Sequence, residues 1–239
     1  RRTKMATTGF GGKTDHFGIA TSDLILQDSS KVPRKANMAN ALDANGDVAV
    51  TELYGNNAGT LYDVSCTYLL KSGTLDLSTI DIGEQSPGIV ITSITVNTSN
   101  GEWPKIVASG VLGTAAFQAP TGYLAKAALP AVTLTGGKFA QGIGFTVLTG
   151  ALNSSSMSVS CDIAEAHDGE GEPVAYAVGF PNAEVTATGV YTTAAFTWAV
   201  TSPGVGLVES QAESTVEPQA AWQTSTATGY IPMVRGTAS

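Results

Sequence analysis

Asp43, Asn45 and Asp47 alternate in the stretch DANGD, and Asp168, Glu170 and Glu172 alternate in DGEGE. Alternating side-chain oxygens are what a calcium loop offers a hard cation. Both stretches lack the length and the terminal bidentate Glu of an EF-hand loop, so no metal is expected. The same residue types have a simpler use in turns. Asp and Asn bond their own backbone, and Gly takes the left-handed conformation. Turn chemistry is therefore the expectation at Asp43, Asn45, Gly46 and Asp47, and again at Asp168, Gly169, Gly171 and Glu172. His167 beside Asp168 pairs a base with a carboxylate, but His16 and His167 are the only histidines, and no nucleophile lies near either by spacing. No GxSxG, phosphate loop or dinucleotide fingerprint is present. No catalytic set and no cofactor follow from these residues, so an enzyme is not expected. Cys66 and Cys161 fit no CxxC or Cys/His spacing for zinc. Both lie on apolar alternating stretches and read as buried thiols, with a disulfide left open.

These turns belong to a longer pattern. Ala41, Asp43, Gly46 and Asp47 fall on Ala166, Asp168, Gly171 and Glu172 at a constant spacing of 125 residues. The correspondence extends in order. The segment 16–30 matches 138–156, and 36–55 matches 158–180. The strand at 61–70 is answered by 183–200. The hairpin at 88–112, with Trp103, is answered by 206–229, with Trp222. An internal repeat is the expectation, with 113–137 as its joint. Equivalent placement gives Trp103 and Trp222 a repeated structural role rather than that of a sugar platform with Trp198.

The elements that carry these turns alternate with period two. In LYDVSCTYLL, Tyr62, Val64, Cys66, Tyr68 and Leu70 point one way, and Asp63, Ser65 and Thr67 the other. GIVITSITVNTSNGEWPKIVASGVLG reads as two strands joined at Asn100-Gly101, a pair suited to the positive φ angles of a tight turn. Met157, Val159, Cys161 and Ile163 share a face, and so do Phe196 and Trp198. The residues 35–43 read as a strand by comparison with their counterpart, and a short helix is expected at 120–129. The fold class is mainly β: two tandem, similar β-sandwich or β-barrel-like domains with few short helices. The expected division is a flexible N-terminal arm at 1–15, a first β domain at 16–112, a linker at 113–137 and a second β domain at 138–239.

Composition supports a packed β protein. Hydrophobic residues make up 43 % and charged residues 13 %, which argues against disorder. A net charge of −8 opposes any grip on nucleic acid, which needs clustered Lys and Arg. It also opposes binding to an anionic membrane. The basic residues gather early, at Arg1, Arg2, Lys4, Lys13, Lys31, Arg34 and Lys35. No apolar run approaches the ~20 residues of a membrane span, and no signal peptide opens the sequence. The expectation is a soluble protein, intracellular when made.

The progression ANGDVAVTELYG, YDVSCTYLLKSGTLDLSTIDIG and IVITSITVNTSNGEWPKIVASG resembles the tail tube (major tail) proteins of long-tailed bacteriophages. The likeness covers most of 16–232. In that family a β-sandwich joins its sheets edge to edge into a ring of six whose inner sheets line a tube. Members with two such domains form rings of three that imitate six, and the inferred repeat puts this chain with them. The resemblance implies stacked rings of copies of this chain, locked by termini and long loops. The other implied partners are tail or virion proteins, with genomic DNA as non-specific passing cargo during ejection. It places the chain in the virion tail, assembled in the host cytoplasm, without a membrane. Glu209, Glu213 and Glu217 are the candidate acidic lumen face. The competing function is a capsid decoration or cement protein, or another β-sandwich binding module of the virion.

Overall fold

A computed structural model describes residues 13–35, 37–54, 61–86, 88–113, 126–147, 150–161, 163–167, 173–178, 182–191, 198–200, 206–209 and 223–231. The chain begins with β1 (Leu24–Pro33), a hairpin of β2 (Asn37–Leu42) and β3 (Val48–Tyr54), and β4 (Tyr62–Leu70). It continues with β5 (Thr74–Asp76), β6 (Asp81–Ser86), β7 (Ile89–Ser99) and β8 (Lys105–Leu112). Three short strands follow: β9 (Lys126–Ala128), β10 (Thr133–Thr135) and β11 (Phe145–Val147). Then come β12 (Ala151–Ser160), a hairpin of β13 (Ile163–His167) and β14 (Pro173–Val178), and β15 (Asn182–Tyr191). The last strands are β16 (Trp198–Val200), β17 (Gly206–Glu209) and β18 (Gln223–Ile231). Among the described residues the helical structure is one 3-10 turn, Leu77–Thr79. The protein is mainly β, as its period-two alternation requires.

One antiparallel sheet runs through both halves in the order β1-β4-β8-β7-β12-β15-β18-β17. Val64, Cys66, Tyr68 and Leu70 of β4 are buried on one face of it, as the alternation predicts, with Tyr62 half-buried. β7 and β8 meet at the Asn100-Gly101 turn, where Gly101 has φ 89°. Ile94 and Val96 of β7, Met157 and Val159 of β12 and Val185 of β15 extend the same apolar layer across the middle of the sheet. Short elements cover this layer with Leu77, Ile80, Ile82, Leu134, Ile143 and Phe145, all buried in the same core. β7 divides its outer edge at a bulge. Residues before Thr92 pair with β6, and Ser93–Ser99 pair with β12. Opposite that bulge stands Gly110, where any Cβ would lie 2.0 Å from the Val90 carbonyl oxygen.

The helix expected at 120–129 is corrected where it is described. Lys126–Ala128 form β9, paired with β6, while 120–125 lie outside the described residues. Ala127 and Leu129 alternate into the core, a strand's period, and the Leu129 N–H donates to the Ile80 carbonyl at 3.0 Å. A short apolar run fits either period, and here the partner strand decides.

Residues 13–15, the end of the expected arm, are docked. The Asp15 carboxylate accepts from the N–H groups of Phe17 (3.2 Å), Gly18 (2.9 Å) and Ala20 (2.9 Å). It also accepts from the Tyr68 hydroxyl at 2.5 Å, deep in the sheet. Phe17 is thereby set into the core. Replacing Asp15 with Ala leaves the buried hydroxyl and three N–H groups without their acceptor. The expected cost is about 2–3 kcal/mol. A calorimetric melt should show it as a drop of roughly 5–10 °C.

Candidate functional site

The seam between the halves is the pairing of β7 with β12. Ser154 to Ser160 lie opposite Ser99 to Ser93 in unbroken antiparallel register. On the core face, Met157 faces Val96 and Val159 faces Ile94, all fully buried. The next core-facing pair is polar: Thr98 and Ser155 are 2 % and 3 % exposed. Buried hydroxyls need partners, and here they have them. Thr98 Oγ1 donates to the Gln141 carbonyl at 2.9 Å and accepts from the Gln141 N–H at 3.0 Å. It stands 3.0 Å from Ser155 Oγ, which itself donates to the Gln141 carbonyl. The β7–β8 turn adds Asn100, whose side chain donates to Leu152 O (3.0 Å) and accepts from Ala140 N–H (2.9 Å). A hydroxyl socket and a polar turn thus seal one strand edge onto the next.

The same strand order stands on each side of this seam. β1-β4-β8-β7 is followed by β12-β15-β18-β17, each in chain order the first, second, fourth and third strand of its half on the main sheet path. The register agrees in detail. In the hairpins Met38 pairs with Leu53 and Ile163 with Val178. Both have a bulge one strand-turn later, between Ala41 and Leu42 and between Ala166 and His167, at the 125-residue spacing read from the sequence. The first strands are bulged alike, between Leu26 and Asp28 in β1 and between Leu152 and Ser154 in β12.

The two halves differ in what lies beyond their first strand. β12 is covered by β7, whereas β1 is the end of the sheet path. Past its bulge β1 is exposed except for the half-buried Ser29. Charges decorate this border. Lys13 pairs with Asp28, and Arg34 Nε lies 2.8 Å from Asp63 Oδ1. Lys31 Nζ sits 3.9 Å above the Tyr62 ring. A Lys and a terminal Pro on an edge strand discourage indiscriminate pairing.

The sheet face away from the core is rich in hydroxyls. A groove on it is lined by Asn97, Ser99, Ser154, Ser156, Thr186 and Thr188. Ser65 and Thr67 of β4 and Thr224, Thr226 and Thr228 of β18 continue it on either side. Asp63, Lys105 and Glu184 are exposed on the same face.

The candidate residues fall as follows. Asp43 Oδ1 accepts from Asn45 N–H (2.8 Å) and Asp47 N–H (3.0 Å), and Gly46 has φ 86°. That is the turn chemistry expected of DANGD. Asp168, Gly169, Gly171 and Glu172 lie outside the described residues, as do Glu213, Glu217, Phe196 and Trp222. Glu209 ends β17, and Trp198 begins β16. Trp103 is half-buried, with Lys138 Nζ 4.1 Å from its ring centre. Cys66 and Cys161 are buried thiols not joined in a disulfide, and burial raises the Cys66 thiol pKa. Among the described residues no three His, Cys, Asp or Glu gather to hold a metal ion. The sequence pattern marks Tyr68 only as a core-facing position and does not mark Asp15, Ser29 or Thr98.

His16 lies in the docked segment. Partial burial, and then the charge of Lys31, lower its pKa, and Asp15 opposes them. A histidine whose folded pKa is depressed binds its proton more readily when the segment is released. Stability is then full above the ordinary histidine range, about 6.5, and falls as pH drops through that range towards the folded pKa. Melting temperature is expected to fall between about pH 7.5 and 5.5, and His16→Gln should flatten that part of the profile.

No protein-family model matches the chain, and no curated protein matches it significantly. No helix among the described residues is long and apolar enough to cross a membrane.

Proposed function

We propose that the chain is a tandem duplication whose two copies join sister chains border to border, forming stacked rings of a bacteriophage tail tube. One observation carries this reading: the repeated strand order, with the seam already built once inside the chain and the equivalent border of β1 unpaired among the described residues. A strand edge at the end of a sheet is an aggregation hazard unless it is paired, and a closed ring pairs every such edge. Three chains with two copies each make a ring of six modules. The resemblance to tail tube proteins supplies the role, conducting DNA during ejection in the virion tail.

In this reading the hydroxyl-rich sheet face lines the lumen. Neutral hydroxyls dominate this face, and its exposed charges set two carboxylates, Asp63 and Glu184, against Lys105, which gives phosphates little to hold. The exposed β2–β3 hairpin, with Leu42, Val48 and Val50 in solvent, supplies apolar contact to the next ring. Electron micrographs of the purified protein should show rings or tubes with a regular axial repeat. Monomers alone at high concentration sink the proposal, and closed trimers that never stack favour a decoration or cement protein.

A further inference from the structure

We infer that the open border of β1 carries a hydroxyl socket for a second copy of this chain, centred on Ser29 and the backbone of Thr14. The inference rests on the ring reading and adds the groups that lock the contact.

Ser29 and Ser155 are equivalent by register. Each is the second residue past the bulge of the first strand in its half, and each points to the core face, opposite Cys66 and Ala187. In each half the segment before that strand runs back across this serine. The Thr14 N–H donates to Ser29 Oγ at 3.2 Å, and Ser155 Oγ donates to the Gln141 carbonyl. In the second half the arrangement is completed by Thr98, arriving from the neighbouring β7 and bonding both the serine and the crossing backbone. In the first half no strand among the described residues lies beyond β1. Ser29 is half-buried where Ser155 is 3 % exposed. The group that fills the equivalent place in the seam is a Ser/Thr hydroxyl on a β-strand edge, held by two backbone groups and one hydroxyl.

A second copy is the occupant that fits. The seam shows that a strand edge from the first half accepts the first strand of the second half. The opposite end of the sheet, at β17, holds the place in its half that β7 holds in the first.

The test compares Ser29→Ala with Ser30→Ala in the full chain, by sedimentation across a concentration series and by thermal melting. Ser30 is next in β1 and faces away from the socket. Ser29→Ala should melt with the parent protein yet associate about tenfold more weakly, and Ser30→Ala should match the parent in both. Ser29→Thr, which keeps the hydroxyl, should restore association. Parent-like association of Ser29→Ala, or equal weakening by Ser30→Ala, overturns the socket. Micrographs of the same samples separate the two ideas. Tubes unaffected by Ser29→Ala leave the tube reading standing without the socket. Rings weakened by Ser29→Ala that never stack keep the socket and remove the tube. A parent chain that stays monomeric removes both.

Discussion

Arginine at position 29 is expected to hold the chain as a folded monomer. Ser29 is half-buried and borders solvent, so the longer side chain can reach water in the isolated molecule. Assembly through β1 would trap the guanidinium where the seam equivalent, Ser155, is 3 % exposed. An unpaired cation placed there costs about 3–5 kcal/mol, enough to weaken association more than about a hundredfold. The paired experiment is Ser155→Arg. That site is closed inside every chain, beside Thr98 and the Gln141 backbone, so the same cation cannot escape. A loss of about 3–5 kcal/mol is a large part of the stability of an ordinary domain, and Ser155→Arg should be insoluble or unfolded. Melting and sedimentation of the two variants read the difference directly. If Ser29→Arg still assembled like the parent, the border of β1 would not be an interface.

The second large effect concerns the β2–β3 hairpin. Leu42, Val48 and Val50 are 62 %, 56 % and 50 % exposed, on a turn closed by Asp43 and Gly46. Covering what they expose is worth roughly 1 kcal/mol apiece, or about 3 kcal/mol per hairpin. Three chains meeting the next ring multiply that figure, so the hairpins can decide whether rings stack. The triple change Leu42→Ser, Val48→Ser and Val50→Ser should leave the melt and the rings intact and remove the tubes from micrographs. These side chains are already in solvent, so the isolated chain has little to lose. Tubes of parent length from the triple variant would show that stacking uses another surface.

The sequence revealed what lies along a strand and concealed what lies across it. Val64, Cys66, Tyr68 and Leu70 were readable because a sheet's buried face repeats every second residue. The turn at Asp43–Asp47 was readable because Asp, Asn and Gly are there for local hydrogen bonds and a positive φ. The seam was not, since strands pair through backbone groups that every residue carries. Ser156 and Ser158 look alike whether β7 or water lies beside them. The Asp15–Tyr68 bond joins groups 53 positions apart, and no local pattern marks it. Lys126–Ala128 failed for a related reason: three residues cannot reveal a period, and the partner strand Asp81–Ser86 made the choice.

The β7–β12 seam has one more consequence, set by covalent linkage. Its two sides are parts of one molecule, so they meet at a tethered concentration on the order of millimolar, whatever the protein concentration around them. Dilution can part separate chains but leaves this joint closed. Each independent body that joins an assembly gives up about 4–15 kcal/mol of translational and rotational freedom, so fusing modules in pairs halves the number of such losses. A particle assembled from such chains would start with half its joints already made.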